Sequence, residues 1–172
     1  MNYPFLYQKI HSFDVQELKN SIQYKDSTVP VWGDWVLKEI QSKIILDYIK
    51  KHTPHLKLFK ETLYVSQGIT SNFHIDRYHV HHLLHRVLVP LDDHFHYEWM
   101  QCEAKLSYQP VAGEMLLFNN MIPHRFVSNS SQLREVIYFD LYDPLVTDIL
   151  PTLNGNYSEQ NALYDQKYKI IE

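Results

Sequence analysis

The sequence predicts a mainly β fold, a jelly roll with helices packed in front of it, and three observations carry that prediction. From about residue 56 onward, short segments rich in Tyr, Val, Leu and Phe alternate with turn residues, as in an all-β sandwich or barrel. The first 55 residues instead show apolar positions at helical intervals. The length of 172 residues, with 45% hydrophobic and 21% charged residues, suits one globular domain. With a single cysteine, Cys102, no internal disulfide is available, so the core alone must hold the fold.

Taken in order, Asp14 caps a short helix, with Glu17 three residues on and Val15, Leu18 and Ile22 at helical spacing. A second helix is expected after Asp34. Its stripe is Leu37, Ile40, Ile44 and Tyr48; Lys50 and Lys51 suit its C-terminal dipole, and Pro54 ends it. Strands are expected near 57–66, 80–91, 95–99, 103–109, 114–119, 125–128 and 134–142. Turn signals separate them: Gly68 with Ser71 and Asn72, Asp92 with Asp93, Pro110 through Gly113, Asn119 with Asn120, and Ser128 through Ser131. The expected organisation is one domain over 1–172. It comprises a helical preface (1–55) packing on the sheet, a jelly-roll core (56–143) and a C-terminal tail (144–172) whose pattern is weak.

No run approaches the roughly 20 apolar residues of a membrane span. The opening MNYPFLYQKIHSF lacks the basic start and apolar centre of a signal peptide, so a cytoplasmic location is expected. A net charge of −4 gives no global electrostatic case for nucleic acid.

Histidine is the anomaly: eleven in all, seven of them between His74 and His96. Within Phe73-His74-Ile75-Asp76, an extended backbone points His74 and Asp76 the same way, a geometry that clamps Fe(II) and leaves coordination positions open. A surface turn with two polar residues is the plainer reading of that triplet alone. The strand Gly113–Asn120 leads to Pro123-His124, where proline fixes the backbone just before a histidine; a histidine in an edge turn is the bland alternative. Ten residues later Arg134 opens the apolar strand Arg134–Phe139. It is either a solvated strand end or a guanidinium fork that meets a carboxylate inside the barrel.

HID, then PHRFVSN, then an arginine ten residues past the second histidine resembles the Fe(II)/2-oxoglutarate oxygenase superfamily. The stretch from GEMLLFNNMIPHRFVSN to REVIYFDLYD is similar to its aspartyl/asparaginyl β-hydroxylase branch. The resemblance spans about residues 60–143. It implies a double-stranded β-helix, iron held by His74, Asp76 and His124, and 2-oxoglutarate held by Arg134. In that branch an Arg-x-His pattern precedes Pro-Leu. Here Arg86 precedes Pro90-Leu91 but Leu88 stands where the histidine belongs, so the resemblance places Arg86 near the co-substrate or substrate carboxylate. The implied reaction consumes O2 and 2-oxoglutarate, releases succinate and CO2, and hydroxylates a C–H bond of an amino acid, peptide residue or small metabolite.

Other readings stay open. A non-oxidative cupin-type metal-binding protein would keep the jelly roll but would not need Arg134, and a decayed binding module would not need every ligand type. Nucleic-acid demethylases of the superfamily carry another arginine six residues after the co-substrate arginine; Asp140 stands there instead. His79, His81 and His82 are expected to line a polar mouth or face water, and His94 and His96 to sit on a solvated hairpin. Tyr64, Tyr78 or Trp99 could touch substrate, and Asn129 either supports the His124 loop or forms an Asx turn.

Overall fold

The computed structural model describes residues 6–32, 35–74, 84–101, 103–119 and 122–144. Strand β1 (Tyr7–Ser12) leads into helix α1 (Val15–Ser21), followed by strands β2 (Ile22–Trp32) and β3 (Trp35–Ser42) and helix α2 (Lys43–His52). After the two-residue β4 (Lys57–Leu58) and a 3-10 turn come β5 (Leu63–Gly68), β6 (Leu84–Pro90), β7 (Phe95–Gln101) and β8 (Ala104–Tyr108). Strands β9 (Glu114–Phe118), β10 (His124–Ser128) and β11 (Arg134–Tyr142) complete the described chain.

The larger sheet runs β1-β9-β6-β11-β5-β3-β2, with β4 paired to β11; the smaller runs β10-β7-β8. All their pairings are antiparallel. This is the two-sheet jelly roll expected from the strand count.

Alternation along the strands of the larger sheet feeds two cores. One face of that sheet packs Val65, Val87, Val89, Ile137 and Phe139 with Leu18 of α1 and Ile45 and Ile49 of α2. Each such fully buried aliphatic side chain contributes about 1.5–3 kcal/mol of transfer free energy. The opposite face supplies Leu116, Phe118 and Val136 to meet Phe95, Tyr97, Trp99 and Phe126 of the smaller sheet. The candidate site lies in this second layer.

The N-terminal part differs from the expected helical preface. Asp14 caps α1 as predicted, accepting from the Glu17 amide at 2.8 Å. The second helix, however, starts eight residues later than Asp34 suggested. Residues 35–42 are strand β3, and Ser42, not Asp34, caps α2. Two forces decide this. The exposed edge of β5 gains a partner from Val36 to Ile40, which buries Ile40 opposite Leu63. The buried Ser42 hydroxyl then serves both the Ile45 amide and Ser21, 2.7 Å away. Spacings of three and four made Leu37 and Ile40 look helical, because a short apolar run satisfies either period.

Candidate active site

Beyond Gly68 the chain following β5 crosses to the smaller sheet and runs along β10. The Ser71 amide donates to the Phe126 carbonyl at 3.1 Å, and His74 and His124 exchange both backbone hydrogen bonds at 2.9 Å. A directly opposed antiparallel pair shares one face, so the two imidazoles meet, with ring centroids 4.6 Å apart and planes at 53°. Each ring is held the same way: His74 Nδ1 lies 2.8 Å from the Asn72 carbonyl and His124 Nδ1 lies 2.8 Å from the Ile122 carbonyl. A carbonyl only accepts, so each Nδ1 carries a proton, and the neutral form of each ring has its lone pair on Nε2. Two neutral imidazoles oriented by backbone carbonyls are what metal-ligating histidines require. His124 is buried, and Phe118 packs edge-on against it at 4.8 Å. Asp76, the third expected ligand, lies outside the described residues, as do Tyr78, His79, His81 and His82. Among the described residues, no group of three or more metal-ligating side chains converges.

Arg134 is not a solvated strand end. It is 4% exposed, and its guanidinium carbon lies 3.1 Å from the Phe126 ring centroid and 5.2 Å from that of Phe95. Burial lowers its pKa to about 10, offset in part by Tyr97 and Asp92, so it remains a cation at neutral pH. Phe126 and His124 occupy alternate positions on one face of β10, roughly 7 Å apart. The cation therefore sits about one strand repeat from the histidine pair.

Sequence reasoning named Trp99 as a candidate substrate contact and missed the rest of this layer. Phe95, Tyr97 and Trp99 share the inner face of β7, with Trp99 opposite His124 and Tyr97 opposite Phe126 in register. Among the described residues no acceptor is placed for the buried Tyr97 hydroxyl or the buried Trp99 indole nitrogen, while the Tyr97 oxygen lies within charge and hydrogen-bonding reach of Arg134. Burial pushes the Tyr97 phenol up to about 12, with Arg134 working against that rise. Asp92 accepts from the Glu135 amide at 2.7 Å, and burial raises its carboxyl pKa against the pull of that amide, His94 and Arg134. The 95/97/99 alternation was the available signal for the two aromatic donors.

Arg86 faces a different partner from a ligand carboxylate. Its Nε and Nη2 donate to Asp140 at 2.9 and 3.1 Å, both residues are buried, and the guanidinium carbon lies 5.4 Å from the Tyr138 ring centroid. His96 on β7 and His94 just before that strand are both partly exposed. Asn129 accepts from His96 and donates to Gln109, tying its loop to neighbouring strands rather than to His124.

No protein-family profile matches the chain, and no curated protein does. Solved structures do match. A prolyl-4-hydroxylase from Pseudomonas putida aligns with a TM-score of 0.55 at 11% identity, over 81% of this chain and 93% of that one. An oxidoreductase of the 2OG-Fe(II) oxygenase family from Burkholderia pseudomallei gives 0.51 at 10% identity, over 75% and 77%. AviO1 from Streptomyces viridochromogenes Tue57 gives 0.51 at 12% identity, over 76% and 84%. At such identities the likeness is one of fold: this chain has the jelly roll found in those proteins.

Proposed function

We propose that this protein is an Fe(II)- and 2-oxoglutarate-dependent oxygenase that hydroxylates a C–H bond of an amino acid, peptide residue or small metabolite. The observation that carries the reading is the paired His74 and His124, each with its lone pair set on Nε2, one strand repeat from the buried cation Arg134. The donor chemistry fits Fe(II): two neutral imidazoles, with Asp76 assigned as the carboxylate on its HxD spacing. Iron held there supplies O2 activation coupled to decarboxylation of 2-oxoglutarate, giving succinate and CO2.

The chain's own residues then have distinct tasks. Arg134 binds the distal carboxylate of 2-oxoglutarate, and the Tyr97 hydroxyl donates to it as well. A five-carbon diacid suits the roughly 7 Å step from Phe126 to His124. Phe95, Phe118, Phe126 and Trp99 exclude water, which strengthens the Arg134–carboxylate attraction. A non-oxidative metal protein of this fold would have no use for a buried arginine beside its metal ligands.

The test is an anaerobic titration of the full chain with Fe(II) and then 2-oxoglutarate, read by calorimetry. One Fe(II) should bind, His124→Ala should abolish binding, and Arg134→Met should weaken 2-oxoglutarate binding more than tenfold while keeping Fe(II). Undiminished iron affinity in His124→Ala would overturn the metal assignment.

A further inference from the structure

His74 reaches its partner as an isolated bridge, outside any regular strand. The segment that carries it lies along β10, the edge strand of the smaller sheet. Part of its attachment is made by side chains. The Phe126 amide donates to the Ser71 hydroxyl at 3.2 Å and the Ser128 amide to the Thr70 hydroxyl at 3.4 Å, where a paired strand would offer carbonyls. The Asn72 carbonyl faces the His74 ring instead, at 2.8 Å. A metal ligand on such a segment needs a further fixing point, since a binding constellation tolerates displacements of only about 0.5 Å.

The back of the bridge supplies one. Side chains alternate faces along an extended chain, so the register that sets His74 against His124 also sets Phe73 against Arg125 on the opposite face. The Arg125 guanidinium carbon lies 4.6 Å from the Phe73 ring centroid, within cation–π range. Arg125 is directly opposite Glu98 of β7 in register, as His124 is opposite Trp99. Its Nε donates to Glu98 Oε2 at 2.7 Å. Two rows therefore cross the same three segments. His74, His124 and Trp99 form the inner row; Phe73, Arg125 and Glu98 form the outer one.

The outer row is anchored at its far end. Glu98 is only 5% exposed although it belongs to the outer face of the sheet. Lys105 Nζ on β8 lies 2.9 Å from its Oε1, and His96 Nε2 lies 3.4 Å from the same oxygen. Arg125 serves the other oxygen, so swinging it away would leave a buried carboxylate short of a partner, a costly state. Glu98 thereby holds the guanidinium in place, and the planar guanidinium holds the ring stacked on it. Phe73 is half-buried and lies outside both apolar cores, so its ring serves the His74 segment rather than the packing between layers.

We propose that Phe73, Arg125 and Glu98 are positioning residues for the metal site: the Arg125–Phe73 contact, backed by Glu98, holds His74 in register with His124 and so sets metal affinity. The identity of the metal rests on the oxygenase reading above, whereas the latch is a property of the metal-free chain.

The test compares Phe73→Leu with Phe73→Tyr in the full chain. Leucine keeps apolar bulk and removes the π face; tyrosine keeps both. Two quantities are measured: Fe(II) affinity by anaerobic calorimetry, and amide hydrogen exchange of the metal-free protein by NMR. Phe73→Leu should lose threefold or more in Fe(II) affinity. It should also speed exchange of the His74 amide threefold or more while leaving that of Ile137, deep in the core, unchanged. Phe73→Tyr should match wild type in both. In an Arg125→Gln background the contact is already gone, so Phe73→Leu should make less than a twofold further difference to either. Smaller effects of Phe73→Leu, equal losses in Phe73→Tyr, exchange that quickens at Ile137 as much as at His74, or a full effect in the Arg125→Gln background would overturn the proposal. Were the wild type to bind no Fe(II), the oxygenase reading would fall and take the metal role of the latch with it; a wild type that binds Fe(II) no better than Phe73→Leu does would sink this inference alone.

Discussion

Tyr97 buries a hydroxyl beside the Arg134 guanidinium, which can donate to its oxygen but cannot accept its proton, and among the described residues no acceptor is placed for that proton. An unsatisfied buried polar group costs about 1–3 kcal/mol, a cost that a ligand carboxylate would remove. Tyr97→Phe should therefore leave the ligand-free protein as stable as wild type or slightly more so, by up to about 1 kcal/mol. It should also weaken 2-oxoglutarate binding about five- to tenfold. Thermal melts with and without 2-oxoglutarate read both effects; a lower ligand-free melting point with unchanged ligand affinity would mean that the hydroxyl serves the fold. His74, His124 and Arg134 were legible in the sequence because each is tied to a short local pattern: HxD, Pro-His, and an arginine opening an apolar strand. Tyr97, Asp92 and the Asp140 partner of Arg86 were not. Each acquires its meaning from a neighbour on another strand, as when Asp140 meets Arg86 across 54 positions.

Elements were legible where pattern and turn chemistry agreed. The strands from β6 to β11 begin and end close to where alternation placed them, since Asp92-Asp93, Pro110–Gly113 and Ser128–Ser131 punctuate them. Strand β3 was not legible, because its pairing with β5 is a tertiary fact. Gly113 shows how firmly the turns are set. Its φ is +87°, and an added Cβ would collide with the Phe13 carbonyl oxygen, which belongs to the segment joining β1 to α1. Gly113→Ala should cost about 2 kcal/mol or more in denaturant unfolding; a cost within error of zero would show that the backbone can move away. Strand β7 offers a pH test. Burial pushes the Glu98 carboxyl up, but hydrogen bonds from Lys105, Arg125 and His96 prevail and hold it at about 2, below its ordinary 4.5. A depressed carboxyl stabilises fully above its unfolded pKa and loses that contribution as pH falls through the folded one. The stability gap between wild type and Glu98→Gln should thus be full near pH 7 and close between about pH 5 and pH 2. A gap that widens on acidification would refute the assignment.

At the scale of the molecule, the two sheets do different work. The larger sheet gives one face to the helices and the other to the site. The smaller sheet brings His124, Phe126, Tyr97 and Trp99 down onto that second face. The chain entering from β5 joins the sheets at their shared corner and carries His74 with it. This arrangement makes the central claim testable in one assay: release of labelled CO2 from carboxyl-labelled 2-oxoglutarate, in air, by the full chain. The expected result is release that needs added Fe(II) and disappears in His124→Ala. Release independent of Fe(II), release unchanged in His124→Ala, or no release by well-folded, iron-loaded wild type would contradict it.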